Sequence, residues 1–267
     1  MTLFQLMIVA IVQGITEFLP ISSSGHLVLL PQVTGTQDQG VAIDIAAHIG
    51  TLFAVVFYFW SQVKVAAVGT TRLVRGQIDT PGAFLALCLL IATIPAVLFG
   101  LTLKLTGLDD AFRSVAVIGW TTLIFGLLLL WADRTGTEQR TSESWTVKHA
   151  LVMGLAQCLA LIPGTSRSGI TITAARRLGY GREGAATLSM LMSIPIILTS
   201  GVALSYDVFG QADWALARQA GIAALFAFVA AMAALVLMFR LLKSHSFTPY
   251  VIYRVILGII LLVWAYA

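Results

Sequence analysis

Charged residues are scarce in this sequence of 267 amino acids. Asp, Glu, Lys and Arg together make up 10% of the chain, whereas 58% of the residues are hydrophobic. Soluble domains carry about 25% charged residues, so the composition excludes an ordinary soluble domain. The net charge is only +4 and no basic stripe is present, which excludes a nucleic-acid-binding surface. Apolar runs close to twenty residues long instead predict a protein of the lipid bilayer.

Cysteine is equally rare. Cys88 and Cys158 both lie within apolar stretches, which predicts two buried free thiols and excludes a disulfide framework. The first twenty residues contain no basic segment and no small-residue cleavage site, so we do not expect a removable signal peptide.

Eight apolar stretches follow one another along the chain, separated by segments rich in turn residues. Two of them are short and end in proline followed by small polar residues, which is typical of re-entrant hairpins. We therefore predict an all-α integral membrane fold with six transmembrane helices plus two re-entrant helical hairpins. The stretches lie at about 3–19, 43–60, 82–103, 112–131, 148–162, 184–204, 218–240 and 249–267, and the short ones are 3–19 and 148–162.

The two short stretches end in similar clusters, EFLPISSSGH at 17–26 and LIPGTSRSG at 161–169. Each cluster precedes three spans, and because three is odd the second half enters the membrane inverted. Interrupted helices at matching positions of two halves indicate a site at the membrane midplane. We predict a single membrane domain, residues 1–267, with inverted-repeat halves at about 1–135 and 145–267. The alignment treats Arg167 as an insertion and pairs Pro20 with Pro163, Ser23 with Ser166, Ser24 with Ser168 and Gly25 with Gly169.

Basic residues divide unequally between the two faces that this topology creates. Side one, which holds both termini, has Lys104, Arg113 and Arg218. Basic residues are enriched in cytoplasmic loops, so we predict that side two is cytoplasmic and that both termini face outward. Side two holds twelve: Lys64, Arg72, Arg75, Arg134, Arg140, Lys148, Arg176, Arg177, Arg182, Arg240, Lys243 and Arg254.

A carboxylate lies near the end of the first short stretch. Gln13 and Glu17 are four residues apart and therefore share one helix face. A carboxylate at membrane depth is costly unless it is paired, metal-bound or open to a wet cavity. The structural alternative is an interfacial glutamate at a helix end.

A serine-rich segment follows Pro20, at which the helix cannot continue undisturbed. Ser22, Ser23 and Ser24 offer hydroxyl and N–H groups at the expected start of the next helix, where an anion such as phosphate is favoured. His26 follows within one turn and is a candidate general acid or base. The alternatives are a simple helix cap and a core histidine.

The second cluster adds a cation. Arg167 lies between Ser166 and Ser168, and its planar fork suits bidentate contact with phosphate oxygens. The alternative is an arginine that extends to the interface. Together the two clusters offer a nucleophile, an acid or base, an anion-binding cation and a metal ligand, which are the groups that phosphoryl transfer uses.

Four other polar residues are expected to have structural and not catalytic roles. Arg176, Arg177 and Arg182 are expected to be basic anchors on the cytoplasmic side. His48 lies in an apolar stretch and is expected to pack in the core.

The motifs QGITEFLPISSSGH and PGTSRSG resemble the two signatures of the undecaprenyl-diphosphate phosphatases, also called the bacitracin-resistance protein family. The resemblance extends over essentially the full chain. It implies an integral enzyme of the bacterial inner membrane that hydrolyses undecaprenyl diphosphate to undecaprenyl phosphate and inorganic phosphate, which recycles the lipid carrier for cell-wall synthesis. Membrane lipids are the other expected partners. In that membrane, the predicted topology puts both termini and the active-site opening on the periplasmic side.

The resemblance also implies dependence on a divalent cation, Mg²⁺ or Ca²⁺. The family's first motif has Glu or Gln where Gln13 stands, so Glu17 is the one carboxylate of this motif and the candidate metal ligand. The alternative is a cation that arrives on the substrate diphosphate, with Glu17 as one ligand.

The resemblance makes Ser23 the candidate nucleophile, Glu17 or His26 its proton acceptor and Arg167 the anion clamp. A water nucleophile activated by His26 or Glu17 is the competing mechanism. A flippase or transporter for lipid phosphates is the alternative function, since inverted repeats also build transporters. A homodimer is left open. The expected substrate-binding residues are Gln13, Ser22, Ser24, Thr165, Ser166 and Ser168.

Overall fold

The computed structural model describes residues 1–35, 39–107, 112, 114–208 and 214–267. Within these ranges the regular secondary structure is helical, apart from one isolated bridge between Arg140 and Tyr180. The all-α prediction is therefore confirmed. The α-helices of the described part are α1 (Leu3–Phe18), α2 (Ser23–Thr34), α3 (Val41–Tyr58), α4 (Trp60–Val74), α5 (Pro81–Thr106), α6 (Val115–Thr135), α7 (Val147–Cys158), α8 (Arg167–Arg177), α9 (Arg182–Val208), α10 (Trp214–Leu242) and α11 (Thr248–Tyr266).

Six of these helices are long and apolar enough to cross a membrane: α3, α5, α6, α9, α10 and α11. A helix needs about 20 mainly apolar residues to span the hydrocarbon core. By contrast, α1 has 16 residues and α7 has 12. The prediction of six membrane spans and two shorter apolar helices is confirmed to this extent.

Local sequence signals set the ends of the spans. The Thr80 side chain accepts the N–H of Ala83 and caps α5, while Pro81 occupies the first turn, where its missing N–H is not needed. Gly107 ends the same helix in a left-handed conformation, with φ of 67°.

The two short helices are held closely against long ones by glycine. Gly14 of α1 faces α10, where an added Cβ would lie 2.6 Å from the carbonyl oxygen of Ala227. Gly154 of α7 faces α5, where an added Cβ would lie 2.5 Å from the carbonyl oxygen of Ala92. Both distances are far below van der Waals contact, so any larger residue would force the short helix away from the long helix on which it packs.

Helix α4 is an element that the sequence analysis missed, because its 15 residues mix apolar and charged side chains. It begins at a break in the helix at Phe59, where φ is −101° and ψ is 29°. It then packs closely on α5: a Cβ on Gly69 would lie 2.0 Å from the carbonyl carbon of Gly82. The loop between these helices is closed by Arg72, whose hydrogen bonds to Asp79 hold the pKa of that carboxyl below its usual value.

Two arginines counted as side-two charges are not surface residues. Arg176 and Arg254 are buried, with 1% and 0% exposure. The interpretation of Arg176 as a basic anchor is therefore wrong: it pairs with Asp133, whose carboxylate lies 3.3 Å from its Nε. The other ten side-two cations still outnumber the cations of side one, of which Arg113 lies outside the described residues.

Candidate functional site

Helices α2 and α8 begin in the same unusual way. Their N-caps, Ser22 and Ser166, have φ values of 75° and 71° and are the non-glycine residues with positive φ in the described part of the chain. Each cap hydroxyl accepts an N–H from the first turn, that of Gly25 at 3.3 Å and that of Gly169 at 3.1 Å. A left-handed conformation costs a non-glycine residue energy and is concentrated at functional sites.

This equivalence corrects the alignment of the two clusters. The structure pairs Ser22 with Ser166, and so Ser23 with Arg167, because both cap serines have the same conformation and bonding. The extra residue of the second cluster therefore lies between Pro163 and its cap serine, and Arg167 is no insertion. The sequence alignment placed the gap wrongly because Ser166 can be matched with either Ser22 or Ser23, and both matches pair identical residues.

The two clusters meet. Ser22 Oγ accepts the N–H of Gly164 at 3.2 Å, and Ser168 Oγ donates to the carbonyl of Leu19 at 2.9 Å. We call residues 19–22 and 162–166 the first and second tips, since each joins a short apolar helix to the helix after it. The predicted proximity of the two serine-rich segments is confirmed.

Glu17 is the centre of the hydrogen-bonding network at these tips. Its Oε2 accepts from Gln13 Nε2 at 2.9 Å and from Ser23 Oγ at 2.7 Å. Its Oε1 accepts from Arg167 Nη2 at 3.2 Å. The carboxylate is buried with 8% exposure, and these three donors compensate the cost of burying its charge.

Arg167 is held on two sides. Nη2 binds Glu17, and Nη1 donates to the main-chain carbonyl of Ser189 in α9 at 3.1 Å. A guanidinium carries five N–H donors, so these two bonds leave further donors for an anion. The arginine that follows the second tip thus contacts the glutamate that precedes the first tip, and this glutamate also binds Ser23.

A cavity of about 500 Å³ opens above this network. Its polar floor includes Glu17, Ser23 and Arg167, and the hydroxyls of Ser24 and Ser166 also line it. Its walls are mainly apolar and come from α5 and α9. They include Ala96, Val97, Gly100, Leu101, Ile196 and Ile197.

The polar residues of the cavity that were not among the predicted site residues include His48 and Gln157. His48 of α3 donates from Nδ1 to the carbonyl of Asp44 at 2.7 Å, which directs Nε2 toward Glu17 Oε2 at 3.8 Å. The interpretation of His48 as core packing is wrong. Gln157 also lines the cavity, and it stands nine residues before its cap serine Ser166, as Gln13 stands before Ser22. That equal spacing is the sequence signal that identifies Gln157.

Some predicted site residues lie at the edge of the network or behind it. His26 is absent from the cavity lining: its Nδ1 donates to the Ser22 carbonyl at 2.6 Å, and its Nε2 lies 2.5 Å from the Tyr253 hydroxyl. Thr165 is fully buried and does not line the cavity. Gln13 is buried behind Glu17 and reaches the cavity only through that carboxylate.

Ligands for a divalent cation are few. Within the described ranges, no group of three or more His, Cys, Asp or Glu side chains is placed to hold a metal ion. Glu17 is the carboxylate of the cavity, and its Oε1 accepts one hydrogen bond where a carboxylate oxygen can accept two. The residues therefore fit a cation that takes one oxygen from Glu17 and most of its ligands from elsewhere.

Comparison with known proteins gives a consistent result. Residues 6–260 match the family described as bacitracin resistance protein BacA. The chain is 68% identical over 267 residues to a protein of Roseobacter denitrificans named undecaprenyl-diphosphatase, with all of both chains covered. It is 66% identical to a protein of Dinoroseobacter shibae with the same name, and 46% identical to undecaprenyl-diphosphatase 1 of Rhodospirillum rubrum, of which it covers 96%.

Proposed function

The chain belongs to the bacitracin resistance protein BacA family, and we infer from this that it hydrolyses undecaprenyl diphosphate at the cavity above Glu17. It is a multi-pass membrane enzyme, an undecaprenyl-diphosphatase, with a role in cell-wall synthesis and bacitracin resistance. The observation that carries the assignment of the site is the contact of Ser23 and Arg167 with the same buried carboxylate. A transporter is not favoured, because the relatives bear the name of a hydrolase.

The chemistry that we propose starts at Ser23. Its Oγ already donates to Glu17 Oε2, so the carboxylate takes the hydroxyl proton as Oγ attacks the terminal phosphorus. The bond from that phosphorus to the bridging oxygen breaks, and undecaprenyl phosphate leaves with the electron pair. Glu17 gives up the proton that it took from Ser23 to the departing undecaprenyl phosphate, and then accepts a proton from the water that attacks the phosphoserine. It returns this second proton to Ser23 Oγ as the bond from Oγ to phosphorus breaks and inorganic phosphate leaves.

Direct attack by water is the competing mechanism. Glu17 could accept the proton of a water in the cavity as readily as that of Ser23. His26 does not line the cavity, and its two ring nitrogens are bonded to the Ser22 carbonyl and the Tyr253 hydroxyl. We therefore favour Glu17 as proton acceptor, whereas the catalytic role of His26 stays a prediction.

Anion binding is proposed to combine Arg167 with the two helix starts. The first N–H groups of a helix lack intrahelical partners, and the helix dipole favours negative charge there. Helices α2 and α8 both begin at the cavity floor. The Gly25 and Gly169 N–H groups bind the cap serines, so the N–H groups before them and the hydroxyls of Ser24 and Ser166 are proposed to bind the phosphate oxygens.

A divalent cation would be held chiefly by the diphosphate oxygens, with Glu17 Oε1 as its one protein ligand. Mg²⁺ commonly binds in this way, through one or two carboxylates and the substrate phosphates. When bound, it would neutralise charge on the diphosphate.

The prenyl tail is proposed to lie against the apolar walls from α5 and α9. These walls begin at the polar floor and extend toward Lys104, near the C-terminal end of α5. That end belongs to side one, which has few basic residues. The positive-inside rule then orients the cavity opening toward the periplasm of the bacterial inner membrane.

We further propose that the fold is an inverted repeat in which α1–α2 and α7–α8 are re-entrant hairpins. The packing supports this: α1 lies on α10 while α7 lies on α5, and α3 pairs with α9 as α6 does with α11. In this scheme α4 is an addition to the first half. A homodimer stays a prediction, for which sedimentation in detergent is the test.

Phosphate release from undecaprenyl diphosphate in detergent tests the function. The wild type should release phosphate, and Arg167→Ala should lose nearly all turnover while it remains folded. The matched control is Arg177→Ala, which removes an exposed arginine that stacks on Trp131 and should retain activity. A wild type that releases no phosphate would exclude the proposed function.

A further inference from the structure

Among the residues that the structure describes, Arg254 is a buried cation without a carboxylate partner. It lies within α11 and has 0% exposure. In the described part of the chain its guanidinium donates to four main-chain carbonyls and forms no ion pair. Burial of a charge without a counter-ion is expensive, so this arrangement is unlike an ordinary structural arginine.

The four carbonyls belong to three separate segments. Nη1 donates to Pro20 in the first tip at 3.2 Å, and Nη2 donates to Gly164 in the second tip at 2.9 Å. Nε and Nη2 also donate to Thr122 and Thr121 of α6, at 3.1 and 3.4 Å. One side chain thus attaches both tips to the pair formed by α6 and α11.

Two glycines make room for this side chain. A Cβ on Gly169, in the first turn of α8, would lie 2.9 Å from Arg254 Nη1. A Cβ on Gly126 of α6 would lie 3.0 Å from Arg254 Cβ and 3.3 Å from its Nε. The guanidinium therefore lies directly against the helix start that carries Arg167.

We infer that Arg254 is a positioning residue for the hydrolysis. By holding both tips, it sets the separation of Glu17 and Ser23, which flank the first tip, from Arg167, which follows the second. The inference rests on the proposed function. Displacement of reacting groups by about 1 Å can cost about 100-fold in rate. The rigid fork of arginine can hold two carbonyls in fixed directions, whereas the single ammonium of lysine cannot, although it keeps the charge.

The first experiment compares Arg254→Lys with Arg176→Lys. Arg176 is the matched control, because it is also buried and also donates to main-chain carbonyls, those of Tyr180 at 2.7 Å and Asp133 at 2.9 Å, but it donates to neither tip. We expect Arg254→Lys to lower kcat at least tenfold per folded molecule, with KM within threefold of wild type. Arg176→Lys should lower the thermal midpoint and leave kcat within twofold.

The second experiment leaves Arg254 in place and displaces it. Gly126→Ala puts a methyl group against Arg254, whereas Gly258→Ala puts one at 3.0 to 3.1 Å from Leu123 and the Gly119 carbonyl, in the same α6–α11 contact. Both changes strain this contact, since the nearest atom would lie 3.0 Å from the added Cβ in each case. We expect Gly126→Ala to lower kcat at least threefold with little change in KM, and Gly258→Ala to leave kcat per folded molecule unchanged.

The outcomes separate the inference from the function on which it rests. A wild type without phosphate release overturns the proposed function itself. An active wild type in which kcat of Arg254→Lys and Gly126→Ala matches that of the controls overturns the positioning role alone. If Arg254→Lys does not fold, the comparison of Gly126→Ala with Gly258→Ala decides the matter.

Discussion

The Glu17→Gln variant tests whether the carboxylate at the centre of the site is the catalytic base. The substitution keeps the size of the side chain and one acceptor oxygen, but removes the negative charge that faces Arg167 and the base that faces Ser23. General-base catalysis contributes about 10²–10⁴-fold, which corresponds to about 2.7–5.4 kcal/mol at 1.36 kcal/mol per factor of ten. We therefore expect kcat to fall at least 100-fold.

Stability will also change in this variant. Removal of one partner from a buried ion pair costs about 3–5 kcal/mol, and the amide oxygen of Gln recovers part of this by accepting from Arg167. The rate must therefore be divided by the folded fraction, measured from thermal unfolding in the same detergent. Without this correction, a loss of folded protein would imitate a loss of catalysis.

The assay is phosphate release from undecaprenyl diphosphate, with Glu138→Gln as control. Glu138 is exposed, does not line the cavity, and pairs with Arg182 and Arg176. Pairs of an exposed carboxylate contribute only about 0–1 kcal/mol. The control should keep full activity. If Glu17→Gln retained a kcat within tenfold of wild type per folded molecule, the carboxylate would not be the base and the proposed mechanism would be rejected.

Three further predictions follow from the site and the packing. Ser23→Ala should reduce phosphate release to background and abolish any acid-trapped phosphoenzyme, whereas a residual rate within about tenfold of wild type would favour attack by water. EDTA should suppress release and Mg²⁺ should restore it, and an unchanged rate in EDTA would argue against a cation on the diphosphate. Gly69→Ala should lower the thermal midpoint, since its Cβ would lie 2.0 Å from Gly82 and such overpacking costs about 1–3 kcal/mol. Gly221→Ala, which meets nothing within 4 Å, is its control, and equal midpoints for the two variants would contradict this account of the contact.

Much of the fold could be predicted because long apolar runs leave the chain few choices. In a bilayer every backbone polar group must be bonded internally, so a run of about 20 apolar residues becomes a helix whatever its neighbours are. The six spans and the two shorter helices followed directly from that rule. Helix α4 was not predicted by this rule, because its charged residues and its length of 15 residues resemble a polar connection between spans.

Part of the site was predictable for a similar reason. A glutamate and an arginine placed among apolar residues must find partners, and Glu17 and Arg167 are partners of each other. The correct alignment of the two serine clusters could not be predicted from the sequence, because it depends on which serine of each cluster adopts the left-handed cap conformation. The position of His48 depends on how α3 packs beside α1, and no local pattern records that packing.

The sequence by itself determined the membrane class, the helical spans and the residue types that could bind and cleave a diphosphate, because bilayer energetics and side-chain chemistry act on local patterns. Only the tertiary structure decided which of those residues share a cavity. It turned His26 toward Tyr253, brought His48 toward Glu17 and placed Arg254 behind both tips. Such contacts join residues far apart in the chain, and their geometry is set by the packing of all the helices together.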